Sequence, residues 1–247
     1  MPGVHVLLPP SEGKRAGGSG PPLRLDALPF PDLTAVRERI VDALALVSAD
    51  PEAARPVLRV PPTVLDEVAA NTAVRTAPTL AALDRYDGVL YRALSAPALS
   101  PAERARADGR LLIASALFGV VAADSEVPAY RLSAGATLPG VGGIAAAWRP
   151  WVAGALAALP GLLVDLRSAA YAGFGSPPGT VTVRMVRQGP GGLVTAIGHD
   201  NKAAKGALAR LLATTRARVE DAADLVRLLR RAGWTANHTG DVIEVHA

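Results

Sequence analysis

The run Val4-His5-Val6-Leu7-Leu8-Pro9-Pro10-Ser11-Glu12-Gly13-Lys14 decides how this chain is read. Residues 4–8 make a short buried strand, and the two prolines end it. Proline fixes φ and drives the residue before it away from the helical region, so the chain leaves the sheet stiffly. A hydroxyl, a carboxylate, a glycine and an ammonium then follow within four residues, which is the layout of a functional loop on a strand end.

Around that run, 247 residues suffice for a sizeable core. Half of them are hydrophobic but only 4% are aromatic, so the core is expected to be built of Ala, Leu and Val. No apolar run approaches the roughly 18 residues of a membrane span, and the N-terminus lacks the pattern of a secretory signal. The absence of cysteine excludes disulfides and thiolate metal sites. A soluble cytoplasmic protein is the simplest expectation. The net charge of +4 is mildly basic, and of 26 basic residues only Lys14, Lys202 and Lys205 are lysines. In so arginine-biased a chain, a retained lysine is suspected of serving as a compact point charge.

Residues 15–31 are rich in breakers and predict a surface loop, a candidate lid over the first motif. Asp32 is a candidate N-cap for a helix over 32–48, with Leu33, Val36, Ile40, Ala43, Leu44 and Val47 on one face. Residues 50–94 read as short helices punctuated by proline, clearest over 62–71 and 78–86. Joined by the glycine-free connector 71–78, they form a possible helix-hairpin-helix-like insertion. Ser100 and Glu103 spell a capping box. Buried strands are expected over 110–115 and 162–166. A helix over 141–159 should place Trp148 and Trp151 together in the core. An antiparallel pair follows over 180–186 and 193–197, then helices over 199–215 and 219–232, and short strands at 234–236 and 242–245. This mixture of crossovers and hairpins predicts an α+β (mixed α/β) fold. Residues 1–247 would form a single compact domain in which helices surround a mixed sheet.

Three polar clusters follow strand ends: Ser11, Glu12 and Lys14; Arg167, Ser168 and Tyr171; and His199-Asp200-Asn201-Lys202-Ala203-Ala204-Lys205-Gly206, which opens a helix. Asp200 or Asn201 can cap that helix. Its free N–H groups beside Lys202 and Lys205 suit an anion. The four histidines are scattered without metal-ligand spacing, so no metal is expected. Gly13-Lys14 lacks the earlier glycine and the following Ser or Thr of a phosphate-binding P-loop, and no cofactor is implied.

Together these segments resemble the YaaA family of peroxide stress proteins. The matching pieces are the strand with Pro9 to Lys14, Tyr86-Asp87-Gly88-Val89-Leu90-Tyr91, and the run from Leu111 to Val120 with Pro128-Ala129-Tyr130-Arg131-Leu132. Asp165-Leu166-Arg167-Ser168-Ala169-Ala170-Tyr171 and Asn201 to Gly206 with Arg210 complete the series. The resemblance implies a compact mixed fold with a positively charged cleft. It also implies a cytoplasmic protein that binds DNA and is tied to peroxide tolerance and the restraint of free iron.

Two readings of the site stand. In a DNA binder, Lys14, Arg167, Lys202, Lys205 and Arg210 would line the cleft and touch phosphates. In an enzyme on a small anionic or nucleotide-like substrate, Lys14, Lys202 and Lys205 would hold the anion. Glu12 would then be the general acid or base, with Ser11, Ser168, Tyr171, His199 and Asp200 nearby. Glu12 repels phosphate and fits the second reading better, but DNA binding is the leading expectation and the enzyme is the alternative.

Overall fold

The computed structural model describes residues 3–188, 194–196 and 201–246. Its centre is a mixed sheet of eight strands. Seven lie in the spatial order Thr235–Thr239, Val242–His246, Val181–Gln188, Gly161–Asp165, Gly3–Leu8, Leu111–Ser115 and Gly119–Ala122. Val194–Ala196 pairs antiparallel with Val181–Gln188, as the sequence predicts for this hairpin, and the turn between them lies outside the described residues.

The first strand sits in the middle. It runs parallel to Leu111–Ser115 on one side, with Leu8 beside Ile113, and to Gly161–Asp165 on the other, with Leu7 beside Asp165. Strands covered on both faces read as unbroken apolar runs; Leu111–Ser115 is buried at every position. The chain leaving Leu8 next enters the sheet at Leu111–Ser115, whereas the chain leaving Asp165 next enters it on the opposite side, at Val181–Gln188. The two connections diverge, which makes the carboxyl ends of these strands a topological switch point, the usual ligand position in open α/β sheets.

Several helices are set by local chemistry. The Ser100 capping box opens Pro101–Asp108. Asp50 caps Pro51–Leu58, and the Asp221 side chain accepts from the Asp224 N–H to cap Ala222–Arg231. Helix Val89–Leu94 packs against Asn201–Thr214, and Gly206 permits it: a Cβ there would run into the Leu90 carbonyl.

Four expectations need correction. Asp32 is not the N-cap of the first long helix. Pro31 instead starts a 3-10 turn, Pro31–Leu33, that leads into Thr34–Val47 without a side-chain cap. Residues 78–86 do not form a helix. They hold the two-residue strand Leu80–Ala81, paired with Glu126–Val127, and a single turn, Ala82–Arg85, so the hairpin drawn across 71–78 is not made. Trp148 is fully buried and donates to the Ala116 carbonyl at 2.8 Å, but Trp151 is 46% exposed. The two differ by three residues, about 60° around a helix, enough to carry one ring out of a narrow apolar stripe. The loop 15–31 is tied down rather than loose. Gly20 and Thr79 bridge through their backbones, the Thr79 hydroxyl donates to the Pro21 carbonyl, and Arg85 donates to the Arg15 carbonyl. Among the described residues no helix is long and apolar enough to cross a membrane.

Candidate functional site

The loop after the first strand is fixed by the segment around Tyr86. Lys14 and Tyr86 form an antiparallel bridge, Asp87 N–H donates to the Gly13 carbonyl, and Arg15 N–H donates to the Arg85 carbonyl. Gly88, at φ 153°, lies against Ser11, and a Cβ there would strike the serine hydroxyl. Two of the sequence motifs are therefore one local structure, assembled over more than seventy residues of intervening chain.

This loop delivers Lys14 into a cluster of phenols. Its ammonium lies 4.2 Å from the centre of the Tyr130 ring and 5.3 Å from that of Tyr86. It also donates to the Ser11 carbonyl at 3.0 Å and the Glu12 carbonyl at 3.3 Å. Burial lowers its pKa to about 8, against the ordinary 10.5; the Glu12 carboxylate opposes the shift and Arg131 adds to it. Behind the rings runs a buried hydroxyl chain: Tyr86 to Tyr130 at 2.8 Å, and Tyr130 to Ser115 at 2.8 Å, with Ser115 Oγ also accepting from Phe118 N–H. Tyr91 stacks on Tyr86 and donates to the Pro9 carbonyl at 2.8 Å. Tyr171 completes the group, close enough to shift the titration of Tyr91 and Tyr130. These four are all the tyrosines the protein has. Desolvation raises every one of them, Tyr86 to about 12.

At the mouth stand Glu12, exposed, and Arg131. The Arg131 Nε lies 3.7 Å from the Glu12 carboxylate, and Nη1 donates to Glu67 at 3.1 Å. Asn71 holds the Arg131 backbone at both ends, accepting from its N–H at 2.7 Å and donating to its carbonyl at 3.0 Å.

The remaining residues expected at the site go elsewhere. Arg167 has no side-chain exposure and is held by Asp165 through both carboxylate oxygens, with further bonds to the Tyr171 and Gly175 carbonyls and the Ser176 hydroxyl. Lys205 is buried, donates to the Leu166 and Arg167 carbonyls at 2.8 and 3.2 Å, and is lowered by desolvation. Arg210 donates to the carbonyls of Leu94, Ser95 and Ala98, closing the end of the helix Val89–Leu94. Lys202 and Ser168 are exposed. Lys202 and Lys205 thus do not share a face. His199 and Asp200 lie outside the described residues.

The structure brings together Ser11, Glu12, Lys14 and Tyr171 from the predicted set. Sequence reasoning missed Tyr86, Tyr91, Ser115, Tyr130, Arg131 and Asn71 as site residues. Scarcity was the available signal: four tyrosines in 247 residues, all of them inside recognised motifs, is too little for chance packing to be the first explanation, and Tyr130 and Tyr171 also sit just past strand ends.

Comparison with known proteins shows the family. The family model described as peroxide stress protein YaaA matches residues 4–239. The chain belongs to the YaaA family. A UPF0246 protein of Corynebacterium efficiens is 46% identical over 234 residues, 93% of each chain. A UPF0246 protein of Streptomyces coelicolor is 44% identical over 234 residues, 93% of this chain and 90% of that one. The YaaA match therefore spans every strand from the first to Thr235–Thr239 and every residue of the tyrosine cluster.

The buried lysine and tyrosines make stability depend on pH in a defined way. Between about pH 8 and 10.5 the unfolded chain keeps a proton on Lys14 that the folded chain has released, so stability rises with pH across that window. Above about pH 10 the unfolded tyrosines ionise while Tyr86 stays protonated to about 12, and stability falls. Urea unfolding is expected to show a maximum between these limits. The rise below it, about 1–3 kcal/mol, should shrink in Lys14→Met and remain in Lys202→Met.

Proposed function

We propose that this protein is an enzyme for a small ligand bound at the mouth of the tyrosine cluster, and that Lys14 exchanges a proton with that ligand. One observation carries the proposal: an amine placed on two phenol rings past the carboxyl end of the first parallel strand, with its pKa drawn to about 8. A group poised near working pH is suited to general acid–base catalysis, whereas an ordinary lysine is locked in its charged form. The phenol rings exclude water from the amine, and the Ser11 and Glu12 carbonyls orient it. Glu12, exposed beside it, favours the protonated form and can take over the proton.

The destinations of the basic residues support a small ligand over a nucleic-acid backbone. Arg167, Lys205 and Arg210 donate to the protein's own carbonyls, so the charge the sequence offered to phosphates is consumed inside the fold. DNA binding stays as a second reading because Lys202 is exposed and the family description names peroxide stress. A peroxide-stress setting for the chemistry is part of the proposal.

Two measurements separate the readings. Wild type and Lys14→Met are incubated with a pooled small-metabolite extract and the mixtures compared by mass spectrometry; a species consumed by wild type and spared by the variant is expected. Duplex DNA affinity is followed against salt, and Lys14→Met should leave the slope unchanged. A slope shallower by about one charge, with no metabolite distinguishing the two proteins, would reverse the assignment.

A further inference from the structure

Arginine in this protein is mostly an internal tie. Arg37, Arg85, Arg110, Arg167 and Arg210 all donate to backbone carbonyls. Arg131 differs: apart from one long bond from Nη1 to the Glu12 carbonyl at 3.5 Å, its guanidinium faces two carboxylates, Glu12 and Glu67. Its Nε is the one buried side-chain nitrogen or oxygen among the described residues that has no hydrogen-bond partner. An unmet buried donor is destabilising, and this one sits on a side chain whose backbone Asn71 grips from both sides. The Glu12 carboxylate lies 3.7 Å from it, in ion-pair range but too long for a hydrogen bond.

We propose that Arg131 is the anchor for a carboxylate on the ligand, and that the Glu12 carboxylate competes for the same guanidinium. An incoming carboxylate displaces the exposed Glu12 arm and accepts from Nε. Beside Lys14, the ligand's reacting atom then lies within reach of the amine. The geometry selects a carboxylate over a phosphate. Glu12 and Glu67 both approach this guanidinium, and a dianion would meet both negative charges, whereas a planar monoanion replaces one of them at no change in local charge. Lys14 and Arg131 arrive from different strand ends, so the ligand bridges the loop after the first strand and the segment 128–132.

The inference rests on the small-ligand reading of the same site, but it is tested without turnover. The probes are acetate, pyruvate, glycine and benzoate, each paired with its primary amide, and inorganic phosphate. The readout is the Arg131 Nε–H resonance, assigned by its loss in Arg131→Lys. At least one acid is expected to shift it, with the matching amide at least tenfold weaker. Glu12→Gln should bind that acid at least twofold more tightly, because residue 12 no longer competes as a charge. Phosphate binding more tightly than every acid, amides equal to acids, or a resonance that none of the probes moves would overturn the proposal. Because the signal reports Arg131 and not proton transfer, a carboxylate that binds while Lys14→Met consumes the same metabolites as wild type would sink the acid–base reading and leave this one standing.

Discussion

Replacing Arg167 by methionine is expected to cost about 3–5 kcal/mol of unfolding free energy, the range for breaking one partner out of a buried ion pair. Its guanidinium is gripped by both oxygens of Asp165, at 2.7–3.1 Å, and by the carbonyls of Tyr171 and Gly175. The Asp165 carboxylate, at the end of its strand, would be left buried without its cation, and the segment 166–176 would lose the bolt that holds Tyr171 against the cluster. Removing both charges in Asp165→Asn/Arg167→Met should be milder than the sum of the single changes, because no uncompensated charge then remains. Urea unfolding of the four proteins in this cycle gives the coupling. A single-variant loss below about 1 kcal/mol would mean that Arg167 is in effect solvated and open to a phosphate.

Arg37→Met is expected to be at least as damaging. Arg37 is fully buried on the helix Thr34–Val47 and has no carboxylate near it. It donates instead to the carbonyls of Pro29 and Phe30 on one side and of Phe118 and Val120 on the other, and burial lowers its pKa to about 10. One side chain thereby joins the entry of the helix to the hairpin that edges the sheet. Methionine fills much of the volume but offers no donor, and four carbonyls lose a partner, at about 1 kcal/mol or more each. Arg37→Lys should recover only part of the loss, since an ammonium lacks the planar fork that reaches carbonyls on two sides. Soluble yield and urea midpoint measure this; a variant within about 1 kcal/mol of wild type would show that these carbonyls find other donors.

These two arginines also explain what the sequence did and did not disclose. The first strand and its Pro9-Pro10 end, the Ser100 capping box and the closing hairpin were legible because each depends on neighbours within a few residues. The Phe118 carbonyl that Arg37 serves, and those that Arg110 and Arg210 serve, lie 81 to 116 residues away along the chain. No local pattern separates such an arginine from one facing solvent, so charge read along the sequence overstated what is offered to an anion. The tyrosine cluster was hidden for the same reason. Its members come from three connections converging on one switch point, and only the parallel pairing of Gly3–Leu8 with both of its neighbours brings those connections together. The sequence singled out Glu12 as ill-suited to phosphate, and the structure sets its carboxylate 3.7 Å from Arg131, a partner far along the chain that no local pattern discloses.

The central claim is that Lys14 is held as a proton-exchanging amine, and the direct test is its titration. With three lysines in the chain, carbon-13 labelled lysine gives three side-chain signals, and Lys14→Arg identifies the one sought. That signal should titrate near pH 8, and its midpoint should fall further in Glu12→Gln, where the carboxylate that favours the charged form is gone. A midpoint at the ordinary lysine value of 10.5, unmoved by Glu12→Gln, would contradict the account.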